Sequence, residues 1–364
     1  MSDSNPSTSS HSRLLALRTL ALGAVGGGLA ELAGVPAGWM TGALLCVFAA
    51  GRAGLAVPGA GALKLAAFTL LGYSIGAGIR PDTVGAIALW WPSLLGVPLV
   101  LVATIALLQP VFRRALGWDG ASALYAAVPG SLTPSLVYAS QTPADLGRVG
   151  GAHLTRLGLI ATVFPLAVLG LASPEAVSPG VLESALESTR EAAPALADPA
   201  PPIGFALALG ASVLAGLWGD RWPLPAGALV ASLLASALIH GSGLVAARAP
   251  DALVLASQAL VGTYIGARLA ESRRGLEWRS GLAGAAVLAV GLAVGAAVAV
   301  TLSPLVGRPA LQLWLAYAPG GIEVMPILAL SLEMDAAFVG LHQVLRAFAV
   351  IGLLAWLTPR HRRG

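Results

Sequence analysis

Residues 317–323 read Tyr317-Ala318-Pro319-Gly320-Gly321-Ile322-Glu323, and residues 125–133 read Tyr125-Ala126-Ala127-Val128-Pro129-Gly130-Ser131-Leu132-Thr133. Each places a helix breaker in the middle of an apolar stretch. Proline removes a backbone donor and glycine admits conformations closed to other residues, so a helix is expected to unwind at both places. The two Pro-Gly pairs are 190 residues apart, and other residues share that register: Asp145 with Asp335, Val149-Gly150 with Val339-Gly340, and Arg156 with Arg346. Leu70-Leu71-Gly72-Tyr73-Ser74-Ile75-Gly76-Ala77 likewise corresponds to Leu260-Val261-Gly262-Thr263-Tyr264-Ile265-Gly266-Ala267. Pro36-Ala37-Gly38 matches Pro225-Ala226-Gly227 at 189. In a chain rich in Ala, Gly and Leu, a shared Pro-Gly, Asp and Arg in one register point to an internal duplication.

The composition says what surrounds these breakers. Of 364 residues 57% are hydrophobic and only 10% charged, against about 25% charged in ordinary soluble domains. That balance excludes a water-soluble enzyme of this size and points to an all-α polytopic membrane protein. The excess of 21 basic over 17 acidic residues is read as membrane topology rather than nucleic-acid binding. The single cysteine, Cys46, lies in an apolar run and excludes a disulfide framework.

A dozen apolar segments are expected, six on each side of a Pro-rich acidic stretch. They run 14–33, 36–50, 63–79, 84–108, 121–140 and 149–171, then 203–218, 225–239, 253–269, 282–302, 311–332 and 338–357. The division is a polar N-terminal tail (1–11), a first membrane repeat (12–171), an acidic linker (172–202), a second repeat (203–359) and a basic tail (360–364). The first apolar run is read as a retained helix, since no small-residue cleavage site follows it. If one Pro-Gly segment per half is re-entrant, each half crosses five times and the repeats are inverted, giving about ten spanning helices. Leaving aside Arg156, Arg268 and Arg346, which fall inside apolar segments, the bases then divide 14 inside and 4 outside. If every segment crosses, the repeats are parallel and the division is 12 to 6. Positive-inside bias favours the inverted form, with both termini cytoplasmic.

Broken helices at matching positions of two halves are the sequence pointer to a transporter site, because exposed helix ends offer partial charges to a polar solute. The alternative is a proline kink used for packing. Behind each break, His153 and Arg156, and His342, Gln343 and Arg346, share a helix face. An arginine at membrane depth needs an interior partner. Glu323 is the candidate carboxylate, whereas the first half has Thr133 there. Equally, both arginines could hold unwound backbone carbonyls and anchor the fold. The expected substrate-binding set is Pro129, Gly130, Ser131, Thr133, His153, Arg156, Pro319, Gly320, Gly321, Glu323, His342, Gln343 and Arg346. No catalytic residue, metal site or cofactor is expected: there is no phosphate loop, no HExxH, no nucleophile elbow and no cluster of His or carboxylates.

Pro36-Ala37-Gly38-Trp39-Met40-Thr41-Gly42, the paired Pro-Gly segments and the Asp-to-Arg helices behind them resemble the duplicated AbrB family of bacterial integral membrane proteins, over roughly residues 14–357. The resemblance is most specific in Ala318-Pro319-Gly320-Gly321-Ile322-Glu323-Val324-Met325 and continues through Asp335, His342 and Arg346. It implies a multi-pass protein of the bacterial plasma membrane. Family members are labelled regulators of gene expression and, elsewhere, ammonia monooxygenases. The first half departs from the pattern, with Ser131, Thr133 and Ser135 opposite Gly321, Glu323 and Met325, so a symmetric two-site mechanism is not implied. The expected partners are the lipid bilayer and a small polar or ionic solute, with no direct contact to nucleic acid. The alternative function is indirect regulation of gene expression, and the oxygenase label, lacking any metal cluster, ranks last.

Overall fold

The computed structural model describes residues 6–59, 61–87, 89–130, 132–171, 202–222, 226–246, 248–271 and 277–358. The acidic linker, both extreme termini and Ser131 lie outside the described residues. All described elements are helices, with no strand among them: α1 Pro6–Leu32, α2 Gly38–Arg52, α3 Gly61–Gly76, α4 Pro81–Ile87, α5 Trp91–Ala115, α6 Gly120–Ala127, α7 Leu132–Ala139, α8 Leu146–Leu171, α9 Pro202–Gly219, α10 Gly227–Gly241, α11 Asp251–Glu271, α12 Trp278–Val306, α13 Ala310–Tyr317, α14 Met325–Ser331 and α15 Ala336–Leu357. Among the described residues six helices are long and apolar enough to cross a bilayer: Leu14–Leu32 of α1, α5, Leu146–Leu166 of α8, α11, α12 and α15.

The helices form two compact units, and each unit draws on both halves of the sequence. Residues 1–84 and 162–271 make the first unit, and residues 85–161 and 272–364 the second.

In the first unit, α2 packs on α1 and α11, and α10 packs on α9 and α3. Small residues set these contacts. A Cβ on Gly76 would meet the Leu233 carbonyl at 2.6 Å and one on Gly266 the Leu44 carbonyl at 2.5 Å. Only glycine lets the two backbones approach so closely, which is how small-xxx-small faces act between membrane helices. Ser232 and Ser236 donate across the α10–α3 contact to the Thr69 and Tyr73 carbonyls at 2.7 and 2.9 Å. Both α2 and α10 are entered through a left-handed alanine, Ala37 (φ 53°, ψ 38°) and Ala226 (φ 53°, ψ 37°). The Cys46 thiol is half-buried on α2, less enclosed than its apolar run predicts.

In the second unit, α5 packs against α6, α12 and α15, and α13 against α12 and α15. The apolar run expected over 84–108 is divided, with α5 beginning only at Trp91, where Pro92 takes an early position whose N–H has no helical partner anyway. The runs over 121–140 and 311–332 are each split into two short helices, α6 and α7, and α13 and α14. A helix of eight residues is about 12 Å long, well short of a hydrocarbon core of about 30 Å.

A candidate site at two broken helices

Each break begins at the residue before a proline. Val128 (φ −67°, ψ 116°) and Ala318 (φ −58°, ψ 137°) leave the helical region, because the proline ring clashes with a helical residue ahead of it. The helices α6 and α13 therefore end inside apolar surroundings with carbonyls that have no helical partner. In both breaks the glycine N–H turns back on the residue before the proline, Gly130 to Val128 O at 3.0 Å and Gly320 to Ala318 O at 2.8 Å. Gly321, at φ 100°, continues the second break in a conformation that disfavours any other residue.

The remaining carbonyls are held by the helix that follows. Asp145 and Asp335 start α8 and α15 by accepting backbone N–H bonds: Gly147 at 2.9 Å and Arg148 at 3.2 Å for the first, Phe338 at 3.0 Å for the second. About three turns on, Arg156 donates through Nη1 to Val128 O at 2.9 Å and through Nη2 to Gly130 O. Arg346 donates through Nη1 to Ala318 O. One turn earlier, the His153 ring bonds Tyr125 O at 3.0 Å, and Gln343 donates to the carbonyls of Leu315, Ala316 and Ala318 at 3.0–3.3 Å. Arg156 and Arg346 are 4% and 5% exposed, so these bonds form away from water, and each cation faces the partial negative charge of a helix C-terminus.

Of the two roles open to the arginines, holding backbone carbonyls is therefore observed. Glu323, half-buried in the second break, acts electrostatically on both guanidiniums, which also feel each other. Two cations and one carboxylate thus share this region.

Pro129, Pro319, Tyr317 and Arg346 line a small cavity, closed on its other sides by Val97, Val100 and Leu101 of α5, by Gly291 of α12 and by Ala316. Its free space is on the scale of about one water molecule. Two buried polar atoms on the helices behind the breaks, Arg156 Nε and Gln343 Oε1, have no hydrogen-bond partner among the described residues.

Of the residues expected from sequence, Pro129, Gly130, His153, Arg156, Pro319, Gly320, Gly321, Glu323, Gln343 and Arg346 gather at the two breaks. Thr133 is exposed on α7 and stays outside. His342 packs against Tyr317, which lines the cavity, and its Nε2 meets Ser93 Oγ of α5 at 2.9 Å. Ser93 and Tyr317 are additions, joined by a bond from Tyr317 Oη to the Ser93 carbonyl at 2.8 Å. Sequence reasoning had little hold on Ser93, one small hydroxyl 249 positions from its histidine partner.

The fold and this site define an all-helical membrane protein whose polar centre lies at paired helix breaks. The sequence pattern of the family described as "Transition state regulatory protein AbrB" matches residues 39–360. The chain belongs to this family. It is 27% identical to the uncharacterised protein YhjN of Bacillus subtilis (strain 168) over 357 residues, covering 92% of this chain and 90% of that one. It is 23% identical over 291 residues to the AbrB protein of Escherichia coli (strain K12), whose name proposes a regulator, covering 79% of each chain. No solved structure matches.

Proposed function

We propose that the protein is a secondary carrier for a small polar or ionic solute, binding it between the two helix breaks. The observation that carries this reading is the convergence of both breaks on one small cavity, lined by Pro129, Pro319 and Arg346, with Glu323 acting on both arginines beside it. Unwound backbone at membrane depth is tolerated where protein or a wet cavity satisfies it, and transporters use such breaks as binding sites.

The same reading takes the two halves as inverted repeats. It counts the three shorter apolar helices α3, α9 and α10 and the 15-residue α2 with the six long ones as ten crossings, and takes the paired short helices as re-entrant segments. Matching positions use matching contacts: Arg156 and Arg346 bond the carbonyls of Val128 and Ala318. The inverted arrangement puts both termini on the cytoplasmic side of a bacterial plasma membrane and the acidic linker outside, and the role is transport rather than catalysis.

The test is electrical. Proteoliposomes on a solid-supported membrane are challenged in turn with succinate, citrate, phosphate, glutamate and ammonium. The expected result is a transient current for at least one probe, lost in an inserted Glu323→Gln variant. Silence to every probe, or full current in Glu323→Gln, overturns the assignment. Altered gene expression on deletion that Glu323→Gln does not reproduce favours indirect regulation instead.

A further inference from the structure

His342 and Ser93 form a hydrogen-bond chain whose protons can be counted. His342 Nδ1 lies 2.8 Å from Phe338 O, His342 Nε2 lies 2.9 Å from Ser93 Oγ, and Ser93 Oγ lies 2.7 Å from Trp90 O. Both ends of the chain are carbonyls, which only accept. Three linkages therefore need three protons. A neutral imidazole and a serine hydroxyl bring two between them, so in either tautomer one linkage sets lone pair against lone pair. The imidazolium supplies the third proton and fills all three. The ring is fully buried and Ser93 likewise, so bulk water does not relieve the deficit.

We propose that His342 is a proton-binding site, that the conformation described here holds its imidazolium, and that release of this proton loosens the junction of α5 and α15. The proton would be the coupling ion of the carrier, an extension that rests on the transport reading above. Loss of the proton leaves one linkage unfilled: the ring turns from Phe338 or from Ser93, or the Ser93 hydroxyl turns from Trp90 O to the ring, and each alters the contact where Phe338 of α15 packs on Trp90 at the start of α5. Tyr317 packs edge-on against the same ring, with centroids 5.9 Å apart, and donates to the Ser93 carbonyl. Tyr317 also lines the cavity with Arg346, so a turn of the ring reaches the binding region directly.

An isolated charge here would be costly in a membrane interior, and the surroundings set how readily the ring charges. Tyr317 is the ionisable group brought by α13, and Arg346 lies one turn along α15 itself. Arg308 and Asp335, paired at 3.5 Å, sit at the start of α15. Glu323 belongs to the second break and Tyr138 to α7. The charges of α5, Arg113 and Arg114, are at its far end, and α14 has none.

The full chain, labelled with 15N-histidine and held in lipid nanodiscs, is followed by NMR from about pH 5 to about pH 9, the span in which histidine charge normally changes. The His342 signal is the one missing in His342→Gln. The expected record is a doubly protonated ring at the acid end that converts reversibly to a single neutral tautomer as pH rises. In Ser93→Ala, which removes the middle of the chain, the proton should bind at least about tenfold more weakly, moving the midpoint down by about one pH unit. A neutral ring throughout, a ring still doubly protonated at the alkaline end, or an unmoved midpoint in Ser93→Ala overturns the proposal. If Ser93→Ala does not fold, the wild-type titration decides alone. Since the signal reads the proton whether or not any solute moves, a titrating ring in a protein silent to every transport probe would sink the carrier reading and leave the proton site standing.

Discussion

The two helix breaks use the same backbone device and different chemistry. In each, a residue ahead of a proline turns out of the helix, a glycine N–H returns to its carbonyl, and an arginine three turns into the following helix takes that carbonyl again. Beyond that the halves part. Arg156 holds two carbonyls, Val128 and Gly130, whereas Ala318 O is shared by Arg346 and by Gln343 at 3.3 Å. The second break carries Glu323 and the left-handed Gly321; the first carries an exposed Thr133. The backbone device recurs with an arginine at each break, while the carboxylate Glu323 belongs to the second break, which fits one asymmetric site rather than two equal ones.

That contrast can be broken by substitution. Arg156→Ala is expected to cost the most, about 1–3 kcal/mol, because Gly130 O loses its charged donor and Val128 O keeps only the Gly130 N–H. Arg346→Ala should cost less, since Gln343 still reaches Ala318 O. Unfolding of both variants in mixed detergent micelles measures the difference, and equal losses would mean that the shared carbonyl counts for nothing. Gly321→Ala comes next, at about 1–2 kcal/mol, because an L side chain is strained at φ 100°. Thr133→Val should change stability by less than about 0.5 kcal/mol and leave any solute current intact, as expected of an exposed position away from special backbone. A loss of current in Thr133→Val would return that residue to the site and restore a symmetric reading.

Much of this arrangement was legible from spacing alone. The Pro-Gly pairs marked both breaks, the Asp residues marked the starts of α8 and α15, and the buried arginines had to face the interior. Thr133 was placed in the site by its register with Glu323, but register fixes the position along the chain, and the short helix α7 turns that residue outward. In the run over 84–108, α4 ends at Ile87 and α5 starts at Trp91 with Pro92 in its first turn, while Pro98 and Pro110 are carried inside the same helix. Ser93 and Tyr317 carried no sequence signal, since a serine near a helix start and a tyrosine near a helix end are ordinary and their bond joins residues 224 apart.

The sequence by itself determined that this chain lives in a membrane, that its elements are helices, where two of them must break, and to which family it belongs. Those properties follow from local chemistry: apolar length, proline geometry and the cost of a buried charge. Only the tertiary structure decided where the arginine protons go, that one carboxylate acts on both guanidiniums, and that His342 meets Ser93 across a bond linking two carbonyls. Hydrogen-bond bookkeeping of that kind depends on which distant groups come within about 3 Å of each other, and no spacing along one chain records it.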